Sequence, residues 1–283
     1  MRTLLTVIGD GTATPVLETA LLAARKFDGR IIGLNALTTE YAVVFGGEMG
    51  FSVSSEVDRT LEREGQERRD QARALFENFM RRHDVPVTSP TNVPAQGVSA
   101  GWREESGRQN AVVGSLGRVF DLIVVERPAK LASLAEATLE DALFESGRPV
   151  LMAPPKPPTT IGERIVIAWN GSTETARTVA MAMPYLALAR SVQILSVEGA
   201  MQPGPVADDL AAALRLRGIA STSRVIAASN RQAGEVFLAE AKALGCDLLV
   251  KGAYTQSRLR QMIFGGATRH IIMEAEIPVI LAH

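Results

Sequence analysis

A single cysteine, Cys246, stands in the whole chain of 283 residues. One thiol cannot form an intramolecular disulfide, so a stapled scaffold is excluded and a reducing cytoplasm is the expected compartment. Cys246 itself reads as a small core residue on the approach to an inner strand. Net charge is as scarce. The 30 basic and 31 acidic side chains leave −1, which gives no footprint for nucleic acid or an acidic membrane surface. Long apolar runs are also missing: no stretch approaches the roughly 20 residues of a membrane helix. The opening MRTLLTVIGDG is short for a secretory signal and has no cleavage-type site behind it. His83, His270 and His283 are too scattered for metal-ligand spacing and read as surface residues, so no metal site is expected. Ser257 lacks the G-x-S-x-G setting of a hydrolase nucleophile.

What the chain has instead is a repeat. A strand-like run, Leu4 to Ile8, ends at Gly9-Asp10-Gly11. It is followed by Leu17, Leu21, Ala24 and Phe27 at helical spacing and by a second strand from Arg30 to Leu37. The second half opens in the same way: a strand from Arg164 to Trp169, the tip Asn170-Gly171-Ser172, a helix with Ala176, Ala180 and Met183 on one face, and a strand from Ser191 to Val197. The ends of the halves match as well. Phe120-Asp121-Leu122-Ile123-Val124-Val125 pairs with Cys246-Asp247-Leu248-Leu249-Val250-Lys251, and Arg148-Pro149-Val150-Leu151-Met152-Ala153 pairs with Ile277-Pro278-Val279-Ile280-Leu281-Ala282. A period near half the chain is that of a duplicated domain. We expect domains at 1–153 and 161–283, joined by a stiff proline-rich linker at 154–160. Strands alternating with helices imply α/β architecture, a parallel sheet with helices on both faces. The last strand of each half is an edge that should not stay bare, so the two are expected to pair with each other or with a second chain, a homodimer.

The most informative stretch is Leu248 to Ala267, LLVKGAYTQSRLRQMIFGGA. A buried strand ends at Gly252, a polar loop carries Ser257, Arg258 and Arg260, and Gly265-Gly266 open a helix. Strand, glycine loop and helix N-terminus present backbone N–H groups and a helix dipole to an anion. A glycine-rich connection without a ligand is the bland alternative. The loop is neither a Walker sequence nor G-x-G-x-x-G. Doubly wound sheets bind ligands outside the carboxyl ends of the strands, at the switch in strand order, and that rule brings Asn170 and the 252–266 loop to one crevice.

Together the tandem repeat, the Asp-Leu-aliphatic strand, a loop of the G-x2-G-x9-G-S/T type and the Pro-Val-aliphatic last strand resemble the universal stress protein family in its two-domain form. The resemblance covers essentially the whole chain and is strongest over residues 164–199 and 234–283. It implies two doubly wound domains, each a five-stranded parallel sheet of order 3-2-1-4-5, and a crevice that in many members binds ATP. Carried over residue by residue, the implied nucleotide contacts are Ala168, Trp169 and Asn170 after the first strand, Ser196 and Val197 at the end of the second, and Gly252, Ala253, Thr255, Gly265, Gly266 and Ala267 around the loop. Two positions depart from the pattern. Thr255 replaces the second glycine and Gly266 replaces the serine or threonine. Asn170 occupies the place of an acidic residue and keeps hydrogen-bonding capacity.

The first half departs further. Asp10 keeps the acidic position, but Glu126-Arg127-Pro128-Ala129-Lys130 follows its fourth strand and no glycine appears until Gly147. A backbone phosphate cradle is not available there, because proline has no N–H and Glu126 repels phosphate. An apolar insertion, 38–55, with Tyr41, Val43, Val44, Phe45, Met49 and Phe51, reads as a lid or interface. A long helix follows from Glu56 to Arg82 with Leu61, Ala72, Leu75, Phe76 and Phe79 inward. The expectation is a cytoplasmic stress-response protein holding one adenine nucleotide, ATP with Mg accompanying it, in the second half only. A nucleotide-free scaffold and a weak ATPase stay open as alternatives. No general base or nucleophile is placed at the site, which favours binding over turnover.

Overall fold

The computed structural model describes residues 1–8, 13–37, 55–89, 96–253 and 266–283. The first half runs β1 (Thr3–Val7), α1 (Ala13–Phe27), β2 (Arg30–Leu37), α2 (Ser55–Arg82), β3 (Ser99–Ser106), α3 (Gln109–Leu116), β4 (Leu122–Glu126), α4 (Leu134–Glu145) and β5 (Val150–Ala153). The second runs β6 (Arg164–Ala168), α5 (Thr173–Leu188), β7 (Ser191–Val197), α6 (Ala207–Arg215), β8 (Ser221–Ile226), α7 (Ala233–Ala243), β9 (Leu248–Gly252), α8 (Gly266–Glu274) and β10 (Val279–Ala282). The ten strands form one sheet in the order β3-β2-β1-β4-β5-β10-β9-β6-β7-β8. Each half is therefore a doubly wound 3-2-1-4-5 unit. Every pairing between strands is parallel except β5 with β10, where Val279, Ile280 and Leu281 run antiparallel to Met152, Leu151 and Val150.

Strands covered by helices on both faces need continuous apolar sequence. Accordingly β4, β5, β9 and β10 are buried almost throughout, whereas the outer strands β3 and β8 carry exposed charge. Charge and polarity on an outer strand discourage edge-to-edge pairing. Two apolar layers run the length of the sheet. One joins Leu17, Leu21, Phe76 and Phe79 to Val179, Tyr185 and Leu214. The other joins Val113 and Leu139 to Val236, Phe237, Ile271 and Ile272. Phe27 meets Tyr185 edge to face at 4.8 Å across the join, and Glu163 takes Lys26 at 3.4 Å and Arg190 at 2.7 Å. None of the described helices is long and apolar enough to cross a membrane.

The repeated aspartate has a physical role. Asp121 Oδ2 accepts the backbone N–H groups of Arg2 at 2.6 Å and Thr3 at 3.0 Å. Asp247 accepts those of Glu163 at 2.9 Å and Arg164 at 2.8 Å. In each half the carboxylate pins the head of the fourth strand to that of the first. Burial pushes the Asp121 carboxyl up, but the hydrogen bonds from Arg2 and Thr3 outweigh it and hold the group below its ordinary value.

Two helix faces differ from the sequence expectation. In α5 the buried residues are Thr175, Thr178, Val179, Ala182, Tyr185 and Leu186, while Ala176 and Ala180 are exposed and Met183 is half-buried. The threonines can go inside because their hydroxyls are satisfied: Thr178 Oγ1 donates to Glu174 O at 2.7 Å and Thr175 Oγ1 to Asn170 Oδ1 at 2.7 Å. In α2 the inward stripe is Phe76, Phe79 and Met80, backed by half-buried Ala72, and Leu75 is 38% exposed at its margin. The side chain of Leu61, the 38–54 part of the insertion, and Gly9, Asp10 and Gly11 lie outside the described residues.

Candidate functional site

The switch in strand order falls between β6 and β9, whose carboxyl ends deliver Ala168 and Gly252 to the same rim. Ala168 pairs with Lys251, and Ala282 with Gly252. After Ala168 the chain turns through Trp169, Asn170 and Gly171, which has φ +80°, a value that suits glycine. Ser172 then caps α5, its Oγ accepting the N–H of Thr175 at 3.3 Å. Asn170 Oδ1 closes the turn, accepting Ser172 N at 3.2 Å as well as the Thr175 hydroxyl at 2.7 Å. Its carbonyl accepts Gln202 N at 2.7 Å.

Several residues expected to face a nucleotide are committed to the protein. Trp169 is 3% exposed, and its indole N–H donates to Pro205 O at 2.9 Å, so its ring covers the core. Ser196 Oγ donates to Trp169 O at 3.1 Å, and Val197 O accepts Ala200 N at 3.1 Å. Ala253 is fully buried, and its N–H donates to Ala282 O at 2.9 Å. Gly252 has a packing reason of its own: a Cβ there would stand 2.4 Å from Thr175 N and 2.6 Å from Thr175 Oγ1, so α5 enters against bare backbone. Gly266 and Ala267 form the first turn of α8, where N–H groups lack intrahelical partners. Gly266 is exposed, and a Cβ there would meet only Gln232 Oε1 at 3.5 Å. Thr255, Ser257, Arg258, Arg260 and Gly265 lie outside the described residues.

The rim holds one group that sequence reasoning passed over. Lys251 is buried at the end of β9, and its Nζ donates to Gly252 O at 2.6 Å. Burial pushes the ammonium down to about 8, against a partial upward pull from the Glu174 carboxylate. Its signal was a lysine ending an otherwise apolar strand, Leu248-Leu249-Val250-Lys251.

The same rim in the first half carries a buried polar pair. Gln109 Nε2 donates to Thr138 Oγ1 at 3.1 Å, with both side chains buried. Together with Val7, Val125, Glu126 and Ala135 they leave a cavity of about 10 Å³, the size of one water. A larger recess of about 550 Å³ opens beside the amino-terminal part of β3, against Arg73, Glu77, Arg81 and Trp102. It sits away from the carboxyl ends, and the Arg73–Glu77 ion pair at 2.9 Å lines it, so position and chemistry both favour the β6–β9 rim.

Two doubly wound 3-2-1-4-5 units joined in one sheet define the fold class. Residues 162–283 match the model of the universal stress protein family. Among solved structures, a universal stress protein from Archaeoglobus fulgidus DSM 4304 superposes with TM-score 0.69 at 15% identity, over 99% of this chain and 95% of its own. A provisionally named universal stress protein from Pseudomonas aeruginosa UCBPP-PA14 gives 0.54 at 18%, over 100% and 93%. A functionally unknown protein from Pseudomonas aeruginosa PAO1 gives 0.53 at 16%, over 100% and 92%. At these identities the likeness is one of fold. No curated protein matches.

Proposed function

We propose that the protein binds one adenine nucleotide per chain, ATP with its accompanying Mg, at the β6–β9 rim of the second half, and serves a regulatory or protective role in the cytoplasmic stress response. The observation that carries this reading is the contrast between the rims. The half that matches the family model has glycine at the end of its fourth strand and a helix that begins at Gly266. The other half has Glu126 in place of the strand-end glycine, and Gln109 and Thr138 are buried beside it. Turnover is not part of the proposal.

Calorimetry and mass spectrometry of freshly denatured protein test it. The expected result is one ATP or ADP per chain. Gly265→Val removes binding with an unchanged melting temperature, because a β-branched side chain intrudes on a backbone-built anion site. Glu126→Gln leaves binding unchanged. A protein free of nucleotide and unmoved by millimolar ATP would overturn the reading. A second reading, a nucleotide-free scaffold, is favoured by the internal hydrogen bonds of Asn170, Trp169 and Ser196 and by the antiparallel β5–β10 seam. The absence of nucleotide would favour it.

A further inference from the structure

The two halves place the residue before the end of the fourth strand in equivalent register. Val125 stands beside Met152 of β5, and Lys251 stands beside Leu281 of β10. Val125 is 1% exposed and Lys251 3%. The fold is satisfied by a valine at this position, so the lysine is not there for packing. Among the described residues it also lacks a structural partner of the usual kind. An ammonium has three N–H donors, and among the described residues one of them meets the Gly252 carbonyl while none forms a salt bridge with a carboxylate. The carboxylate that acts on it, Glu174, belongs to the first turn of α5. A buried cation with donors to spare among the described residues, at the switch point and on the strand that precedes α8, is arranged to receive negative charge from outside the chain.

We propose that Lys251 is the side chain that takes the phosphate chain of the ligand in the second half, adding a formal positive charge to what the backbone N–H groups supply. This rests on the nucleotide reading above and deepens it. It gives the rim a preference for polyphosphates over uncharged nucleosides.

Titration calorimetry with ATP, adenosine and inorganic tripolyphosphate separates this inference from the reading beneath it, using the full chain and its Lys251→Met and Lys251→Val forms. Valine is the residue the first half already accommodates, so these variants are expected to fold, and circular dichroism with a melting curve verifies it. The expected result is a tenfold or greater loss of affinity for ATP and tripolyphosphate with adenosine binding unchanged. If ATP affinity is unaltered in both variants, the inference is overturned while the nucleotide reading stands. If ATP and adenosine do not bind but tripolyphosphate binds in a Lys251-dependent way, the nucleotide reading falls and the anion role of Lys251 stands. Failure of the wild-type chain to bind any of the three overturns both.

Discussion

The two halves share a framework and differ at its rim. Asp121 and Asp247 make the same backbone hydrogen bonds at the amino ends of the strands. At the carboxyl ends the equivalent pairs diverge: Val125 against Lys251, and Glu126 against Gly252, each pair at matched register beside the last strand. Among the described residues, one rim holds a cavity of about 10 Å³ beside Gln109 and Thr138, while the other holds a buried ammonium. Duplication preserved what folding requires at one end of the sheet and let the halves part at the other, where ligands bind in this architecture.

The largest expected break in the comparison is Gly252→Val. Its branched side chain would enter the backbone of α5, which lies 2.4 Å from the Cβ position. Helix backbone cannot shift as a side-chain tip can, so the cost is on the order of 3 kcal/mol. Glu126→Val in the first half, where a side chain is already accommodated, costs less than about 1 kcal/mol. Urea denaturation compares the two, and equal losses would show that the α5 approach is not the reason for the glycine.

Next is the Val125–Lys251 pair. Burial lowers the Lys251 ammonium from 10.5 to about 8. The folded chain therefore gives up this proton near pH 8, while the unfolded chain keeps it to about 10.5. Below pH 8 both states are protonated and the full cost of burying the charge, about 3 kcal/mol, stands. From pH 8 to 10.5 the unfolded state binds more protons, and stability rises with pH. Lys251→Met should stabilise the unliganded protein at neutral pH by up to that amount and remove this rise. Val125→Lys should impose a comparable cost on the first half. Chemical denaturation at pH 7 and pH 10 checks both, and a Lys251→Met protein less stable than wild type at pH 7 would refute the assignment.

The shared aspartates come third. Removing either carboxylate orphans two N–H groups at the head of a strand. Asp121→Ala and Asp247→Ala should each cost about 1–3 kcal/mol. The folded Asp121 carboxyl lies below its ordinary value. Its contribution is therefore complete above the unfolded carboxyl range and is lost as pH falls through the folded value. A pH titration of stability should show an acid limb that is weaker in Asp121→Ala.

The framework was legible because it rests on periodicity. Apolar runs at strand length, the repeated Asp-Leu pair and two Pro-Val strands specify a doubly wound order twice. The face of α5 was harder to read, because alanines look more apolar than threonines until the hydroxyl partners of Thr175 and Thr178 are known. Lys251 was hidden for a related reason: a lysine at the end of a strand normally reaches solvent, and only the packing of the chain puts its amine on the Gly252 carbonyl. Trp169 and Ser196 lie at the carboxyl ends of β6 and β7, yet which way their polar atoms point depends on Pro205 and on the bend after Trp169, segments with little pattern in sequence.

The smallest expected effect concerns Asn170 and bears on what that side chain is for. Its Oδ1 accepts both Ser172 N and the Thr175 hydroxyl, an arrangement that a carboxylate oxygen can reproduce. Asn170→Asp should therefore change stability by no more than about 0.5 kcal/mol. Asn170→Ala strips two hydrogen bonds from the turn that starts α5 and should cost about 1 kcal/mol. If the residue serves the nucleotide only by holding this turn, ATP affinity follows the same order, kept in Asn170→Asp and weakened in Asn170→Ala. The amide Nδ2 is the one polar feature that aspartate lacks. A selective loss of ATP affinity in Asn170→Asp, at wild-type melting temperature, would instead assign Nδ2 a direct contact with the ligand and move Asn170 from the framework to the binding surface.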